Sequence, residues 1–96
     1  MRLEWTATAK RDLKDIIAYI WLDNPEAAKR MRDRLRASAE LLKTSPYAGR
    51  PGALLGTREL IAHPNYRIIY EIKGETVSVL TLIHAAREWP PVEDDA

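Results

Sequence analysis

The ninety-six residues contain no cysteine. That absence removes disulfide bridges, thiolate metal ligands and cysteine nucleophiles together, and it suits a reducing compartment. Histidine is scarce as well: His63 and His84 are the whole supply, with no His-x-x-x-His spacing and no clustered carboxylates beside them, so a metal site and a cofactor are not expected. Long apolar runs are also missing. Nothing approaches the roughly 18 residues a membrane span needs, and the N-terminus lacks the basic segment and apolar stretch of a secretory leader. The expectation is a cytoplasmic chain that contacts no membrane.

Charge of one sign is missing only in total. Fifteen Lys and Arg against fourteen Asp and Glu leave +1, a balance that neither favours nor excludes nucleic acid. The distribution says more: Lys29, Arg30, Arg32, Arg34, Arg36 and Lys43 face only Asp33 and Glu40 over residues 27–43, whereas Glu93, Asp94 and Asp95 close the chain. This is a basic body with an acidic tail. Residues 1–91 are expected to form one domain, being too few for two, and residues 92–96 a mobile tail.

What is present reads as alternating elements. Arg2 to Trp5 alternates polar and apolar residues and suits a short strand. Ala9, Leu13, Ile16, Ile17 and Ile20 then recur with helical spacing, with Thr6 or Thr8 available as cap. The Asn24-Pro25 pair ends that helix and starts the next, Asn24 capping and Pro25 sitting where its missing N–H is harmless. Ala28, Met31, Leu35, Ala39 and Leu42 carry the second apolar stripe, and Pro46 stops it. Residues 44–56 hold two prolines and three glycines and form a loop of functional length. Its Gly49-Arg50-Pro51-Gly52 run lacks the Lys-Ser/Thr end of a phosphate loop, and Pro51-Gly52 reads as a turn.

Thr57 to His63, Tyr66 to Ile72 and Thr76 to His84 are rich in β-branched and aromatic residues and form a three-stranded meander. The fold class is therefore α+β, ordered β-α-α-β-β-β. A helical hairpin packs on one face of a largely antiparallel four-stranded sheet. Two-residue turns at Pro64-Asn65 and Gly74-Glu75 would put Ile61, Tyr66, Ile68, Tyr70, Ile72, Val77, Val79 and Ile83 under the helices. Arg58, Leu60, Ala62, Arg67, Ile69, Glu71, Ser78, Leu80, Leu82 and His84 would share the open face. A mixture of aliphatics, arginine and histidine is poor for solvent alone and suits a partner.

One reaction fits these side chains. Cleavage of RNA by an adjacent 2′-hydroxyl needs a base, an acid and cations around the phosphorane. His84 is a candidate base or acid, and Arg58, Arg67 and Arg87 are candidate phosphate clamps. The plainer alternatives are a structural His84 and an Arg67 paired with a carboxylate such as Glu88.

The ordered set Ala9, Asp12-Leu13, Ile16, Tyr19-Ile20, Asn24-Pro25, Pro46, Gly49-Arg50-Pro51-Gly52, Thr57-Arg58-Glu59-Leu60, Tyr66-Arg67-Ile68-Ile69-Tyr70 and His84-Ala85-Ala86-Arg87-Glu88-Trp89-Pro90 resembles the RelE/ParE toxin family over nearly the whole chain. The resemblance implies the toxin of a bacterial type II toxin-antitoxin pair, held inactive by a wrapping antitoxin. Operon repression in such pairs runs through the antitoxin's DNA-binding domain, so this chain is not expected to read DNA sequence itself. RelE-like members cut mRNA in the ribosome with basic residues; ParE-like members poison DNA gyrase without covalent chemistry. The GRPG loop, the TREL strand and the HAAREWP ending look ParE-like.

On that reading Arg58, Arg67, His84, Arg87 and Trp89 form the target surface and no residue is catalytic. Arg30, Arg34, Leu60, Arg67, Ile69, Leu80 and Leu82 would meet the antitoxin. On the RelE-like alternative, Arg58, Arg67, His84 and Arg87 are the catalytic set. Arg67→Ala is expected to reduce toxicity while leaving folding intact.

Overall fold

A computed structural model describes residues 1–91; the expected tail, residues 92–96, lies outside the described residues. The chain runs β1 (Arg2–Trp5), α1 (Ala7–Trp21), α2 (Pro25–Leu41), β2 (Arg50–Pro51), β3 (Thr57–His63), β4 (Tyr66–Lys73) and β5 (Thr76–His84). The sheet order is β1-β5-β4-β3-β2, with β1 parallel to β5 and every other pairing antiparallel. The sheet thus has five strands where four are expected. The extra one, β2, is two residues in the Pro/Gly-rich loop, too short to show a periodic pattern. Its Pro51 sits on the outermost strand, the position a residue without an N–H tolerates.

Both helices begin at side-chain caps. Thr6 Oγ1 accepts from the Ala9 N–H at 3.1 Å, and Asn24 Oδ1 accepts from the Ala27 N–H at 3.1 Å with Pro25 opening the helix. The two apolar stripes then meet the sheet, α1 over β5 and α2 over β3. Ala9, Leu13, Leu35, Ala39 and Leu42 close on Ala62, Ile68, Tyr70, Val77, Val79 and Leu82, with Ile16, Ile17 and Met31 at the margin. The alanines let the helix backbones approach closely, and the aliphatics supply roughly 25 cal/mol for each Å² of apolar surface removed from water.

Two β-bulges change which side chains share a face. Both turns have the expected two residues, and Lys73↔Thr76 to Tyr70↔Val79 follow the expected register. A shift then appears: Ile69 pairs with Thr81 and Ile68 with Leu82, leaving Leu80 as the extra residue. A second shift at Ala62 pairs Ile61 with Arg67 and Leu60 with Ile68. A one-residue slip exchanges the faces of a strand. Leu60, Ala62 and Leu82 therefore point into the helix-side core, not onto the open face, and Ile61 lies outside at 60% exposure. Ile83 moves to the open side opposite Arg67.

β1 covers only Thr76–Val79, so the outer edge of β5 has no neighbouring strand from Leu80 onward. Side chains of the first helix take its place. Thr6 Oγ1 donates to the Leu80 carbonyl at 2.9 Å, and the Asp12 carboxylate accepts from Thr81 Oγ1 and, at 3.1 Å, from the Leu82 N–H. Asp12→Ala would leave the N–H of buried Leu82 unpaired, at a cost of about 2 kcal/mol. At ~4–8 °C per kcal/mol for a domain of this size, the expected fall in melting temperature is readily read by circular dichroism. An unchanged melting temperature would show that water replaces the carboxylate.

Candidate functional site

The open face of the sheet carries an ion cluster at its centre. Glu59, 7% exposed at its side chain, accepts from Arg67 Nη1 at 3.2 Å and from Arg50 Nη2 at 3.3 Å. Arg67 Nη2 also donates to the Arg87 carbonyl, which straps the C-terminal segment across the sheet. A shallow depression of about 700 Å³ results, bordered by Arg50, Glu59, Arg67, Arg87, Glu88 and half-buried Trp89. The carboxylate partner of Arg67 is thus Glu59, not Glu88.

A second concavity lies where the helical hairpin overhangs the strand ends. This open cleft of about 750 Å³ is bordered by Asp12, Asp15, Ile16, Tyr19, Ile20, Met31, Tyr66, His84 and Arg87, among others. Tyr66 stands between the two histidines, its ring 6.1 Å from His63 and 5.6 Å, edge-on, from His84. Burial, and secondarily the neighbouring Tyr19, raises the Tyr66 pKa above 10.0. Tyr19, 76% exposed, and Leu22 extend the apolar surface to the hairpin tip, with exposed Arg30 and Arg34 on α2.

Burial and then the Arg34 guanidinium lower the His63 pKa from 6.5. The folded state therefore prefers the neutral ring, whose Nδ1 accepts from the Asn65 N–H. This preference stabilises the fold above pH 6.5 and is lost as the pH falls through the lower folded value. In an NMR titration His63 should titrate below 6.5, and Arg34→Ala should recover the smaller part of the shift. A midpoint indifferent to Arg34 would exclude that contribution.

The proposed target residues are therefore divided. Arg67, Arg87 and Trp89 do meet on the open face. His84 pairs with Tyr66 after the bulge and faces the hairpin cleft, away from Arg67, which pairs with Ile83. Arg58 lies on the helix side at the other end of β3. Its Nη2 donates to the Gly49 carbonyl at 2.6 Å while the guanidinium stacks on Tyr47. Among the described residues, Arg87 alone borders both concavities. Of the apolar residues assigned to the antitoxin, Ile69 and Leu82 are buried and Leu60 packs against the helix-side core. Leu80 occupies the bulge. Such side chains present little surface to a partner, and the exposed large apolar residues lie elsewhere, among them Tyr19 and Leu22 on the hairpin, Leu54 and Leu55 on the loop before β3, and Ile61. Sequence reasoning also missed Glu59 and Asp12, whose partners lie across strands or across the fold.

Residues 3–89 match the family described as the ParE toxin of type II toxin-antitoxin system, parDE. The chain belongs to the ParE toxin family. It is 42% identical over 92 residues to a putative toxin, Y4kP, of Sinorhizobium fredii, covering 95% of each chain. It is 40% identical over 83 residues to toxin RelE2 of Caulobacter vibrioides, covering 86% of this chain and 93% of that one. Among solved structures it resembles a chain of the chromosomal ParDE system from P. aeruginosa, with a TM-score of 0.80, 25% identity, and coverage of 88% and 95% of the two chains. A chain of the RelBE2 toxin-antitoxin complex from Mycobacterium tuberculosis follows at a TM-score of 0.65 and 27% identity, covering 86% and 95%. As a ParE-family member the chain has the RelE/ParE fold, and among the described residues no helix is long and apolar enough to cross a membrane.

Proposed function

We propose that this ParE-family toxin poisons DNA gyrase by binding and stabilising its DNA cleavage complex, and that a cognate antitoxin neutralises it. The observation carrying this reading is the division of the four residues a ribonuclease would use. Arg67 is engaged by Glu59 and the Arg87 carbonyl, His84 faces the opposite side of the sheet, and Arg58 holds the Gly49 carbonyl. Cleavage of a phosphodiester needs a base, an acid and a phosphate clamp at one atom; Arg87 borders one concavity with Arg67 and the other with His84, but the four residues do not come together in either. A binding activity has no such requirement.

The antitoxin would take the hairpin cleft, where Tyr19, Ile20 and Leu22 offer apolar surface, with exposed Arg30 and Arg34 on α2. An amphipathic segment suits that apolar surface. The relatives with solved structures come from toxin-antitoxin systems, which favours such a partner.

The test adds purified toxin to gyrase and supercoiled plasmid, in parallel with a translating extract. Linear plasmid with intact message is the expected result; cut message with unaffected gyrase would establish the RelE-like alternative.

A further inference from the structure

The loop between β2 and β3 carries two adjacent leucines on a turn held rigidly from both sides. Leu55 is fully exposed and Leu54 nearly half exposed. The Leu54 carbonyl accepts from Thr57 Oγ1 at 2.6 Å and from the Thr57 N–H at 3.1 Å, while the Gly52 N–H donates to the Thr57 carbonyl at 2.8 Å. The bounding glycines are there for geometry. A Cβ on Gly52 would lie 2.5 Å from Thr57 Oγ1, and Gly56 has φ +85°, where side chains are strained. The chain thus builds a fixed support whose tip is an apolar side chain with nothing packed on it.

An exposed leucine on a mobile loop can turn aside; one on a closed turn stays in water. Its ordering has already been met on folding, so little further entropy is lost when a partner covers it. The tip also lies at the Thr57 end of β3, whereas the hairpin cleft lies at the His63 end. Occupation of the cleft therefore leaves the tip open.

We infer that Leu54 and Leu55 form a docking knob that inserts into an apolar pocket with an acidic rim on the toxin's protein target; the inference rests on the reading of the chain as a toxin that acts by binding. Charge selects the occupant. Of the cations of residues 43–58, Lys43 is paired with Glu40 and Arg58 is turned back onto Gly49 and Tyr47, which leaves Arg50 beside the knob. Two guanidiniums share the single carboxylate of Glu59, so that cluster keeps one positive charge, expressed at Arg50, 64% exposed and on the strand leading into the knob. DNA is the less fitting occupant. Arg58 is turned back onto the Gly49 carbonyl and the Tyr47 ring, and Lys43 is paired with Glu40, so the row of free cations that a phosphate backbone requires is not there.

The test compares the wild type with Leu55→Ser and Leu55→Met, scored by growth arrest on induced expression, by plasmid linearisation with purified gyrase, and by melting temperature. The expected result is an unchanged melting temperature for Leu55→Ser, with about tenfold or more toxin needed for arrest, and near-normal potency for Leu55→Met. Arrest by Leu55→Ser at wild-type dose overturns the knob. So does a melting temperature lowered in both variants, which would make Leu55 structural. A short duplex retarded by the wild type and not by Leu55→Ser, without gyrase, assigns the tip to DNA and also overturns it. If the wild type arrests growth while leaving gyrase untouched, the gyrase reading fails and growth arrest by Leu55→Ser still decides the knob. A wild type that neither arrests growth nor acts on gyrase overturns both.

Discussion

Arg67→Ala is expected to lower the stability of the toxin by about 3 kcal/mol, because it strands a carboxylate inside the fold. Glu59 and Arg67 are 7% and 13% exposed at their side chains. Arg50 remains after the substitution, but it is 64% exposed, and a solvated partner offsets little of the lost attraction. The substitution also releases the Arg87 carbonyl, and with it the strap that positions Arg87 and Trp89. Loss of toxicity and loss of stability should therefore arrive together, contrary to the expectation that Arg67 contributes to the target surface alone. Urea unfolding measured beside growth arrest separates the cases. The double substitution Arg67→Leu with Glu59→Leu should recover most of the stability without recovering toxicity, since an apolar pair of similar bulk needs no counter-charge. Full stability in Arg67→Ala would show that water reaches Glu59 freely.

Gly49→Ala should be at least as damaging, although it adds a single methyl group. The new Cβ would lie 2.5 Å from the Glu59 carbonyl oxygen, 2.8 Å from its carbon and 2.8 Å from the Tyr70 hydroxyl. Two of these atoms belong to backbone inside a strand and cannot rotate away. Gly49 is also a junction. Its N–H donates to the Tyr70 hydroxyl at 3.0 Å, that hydroxyl donates to the Pro46 carbonyl at 2.7 Å, and the Gly49 carbonyl accepts from Arg58. Moving the loop to admit a methyl breaks all three bonds. Overpacking and lost buried hydrogen bonds together are worth about 3 kcal/mol or more, a fall of more than ~10 °C in melting temperature. Tyr70→Phe, which removes only the hydroxyl, should lose less than half as much. Equal losses would locate the effect in the hydrogen bonds and not in the clash.

The sequence made the helices legible because their signals are local. Asn24 and Pro25 mark a boundary by their own backbone preferences, and the apolar stripes of both helices fall where the core receives them. The turns were legible for the same reason. The faces of β3 and of the far half of β5 were not. They depend on bulges at Ala62 and Leu80, which carry ordinary strand residues and neither glycine nor proline to announce a shift. The warning lay in Glu59. A carboxylate placed under the helices by simple alternation was the sign that the register had slipped. Once the slip is allowed, Glu59 meets Arg67 from the next strand, and His84 leaves the face on which it had been grouped with Arg67.

The parallel pairing of β1 with β5 sets an order of events during synthesis. Arg2 to Trp5 are made well before their partners Thr76 to Val79, and the two helices between them rest on a sheet that β5 completes. Non-local pairing of this kind waits for the whole loop to be made and closed. A chain that has emerged only short of β5 therefore has no finished core, and both concavities, which β5 or the segment after it borders, take shape only once that strand is made. Until β5 emerges the chain offers neither concavity, and that interval is one in which an antitoxin already present can arrive first.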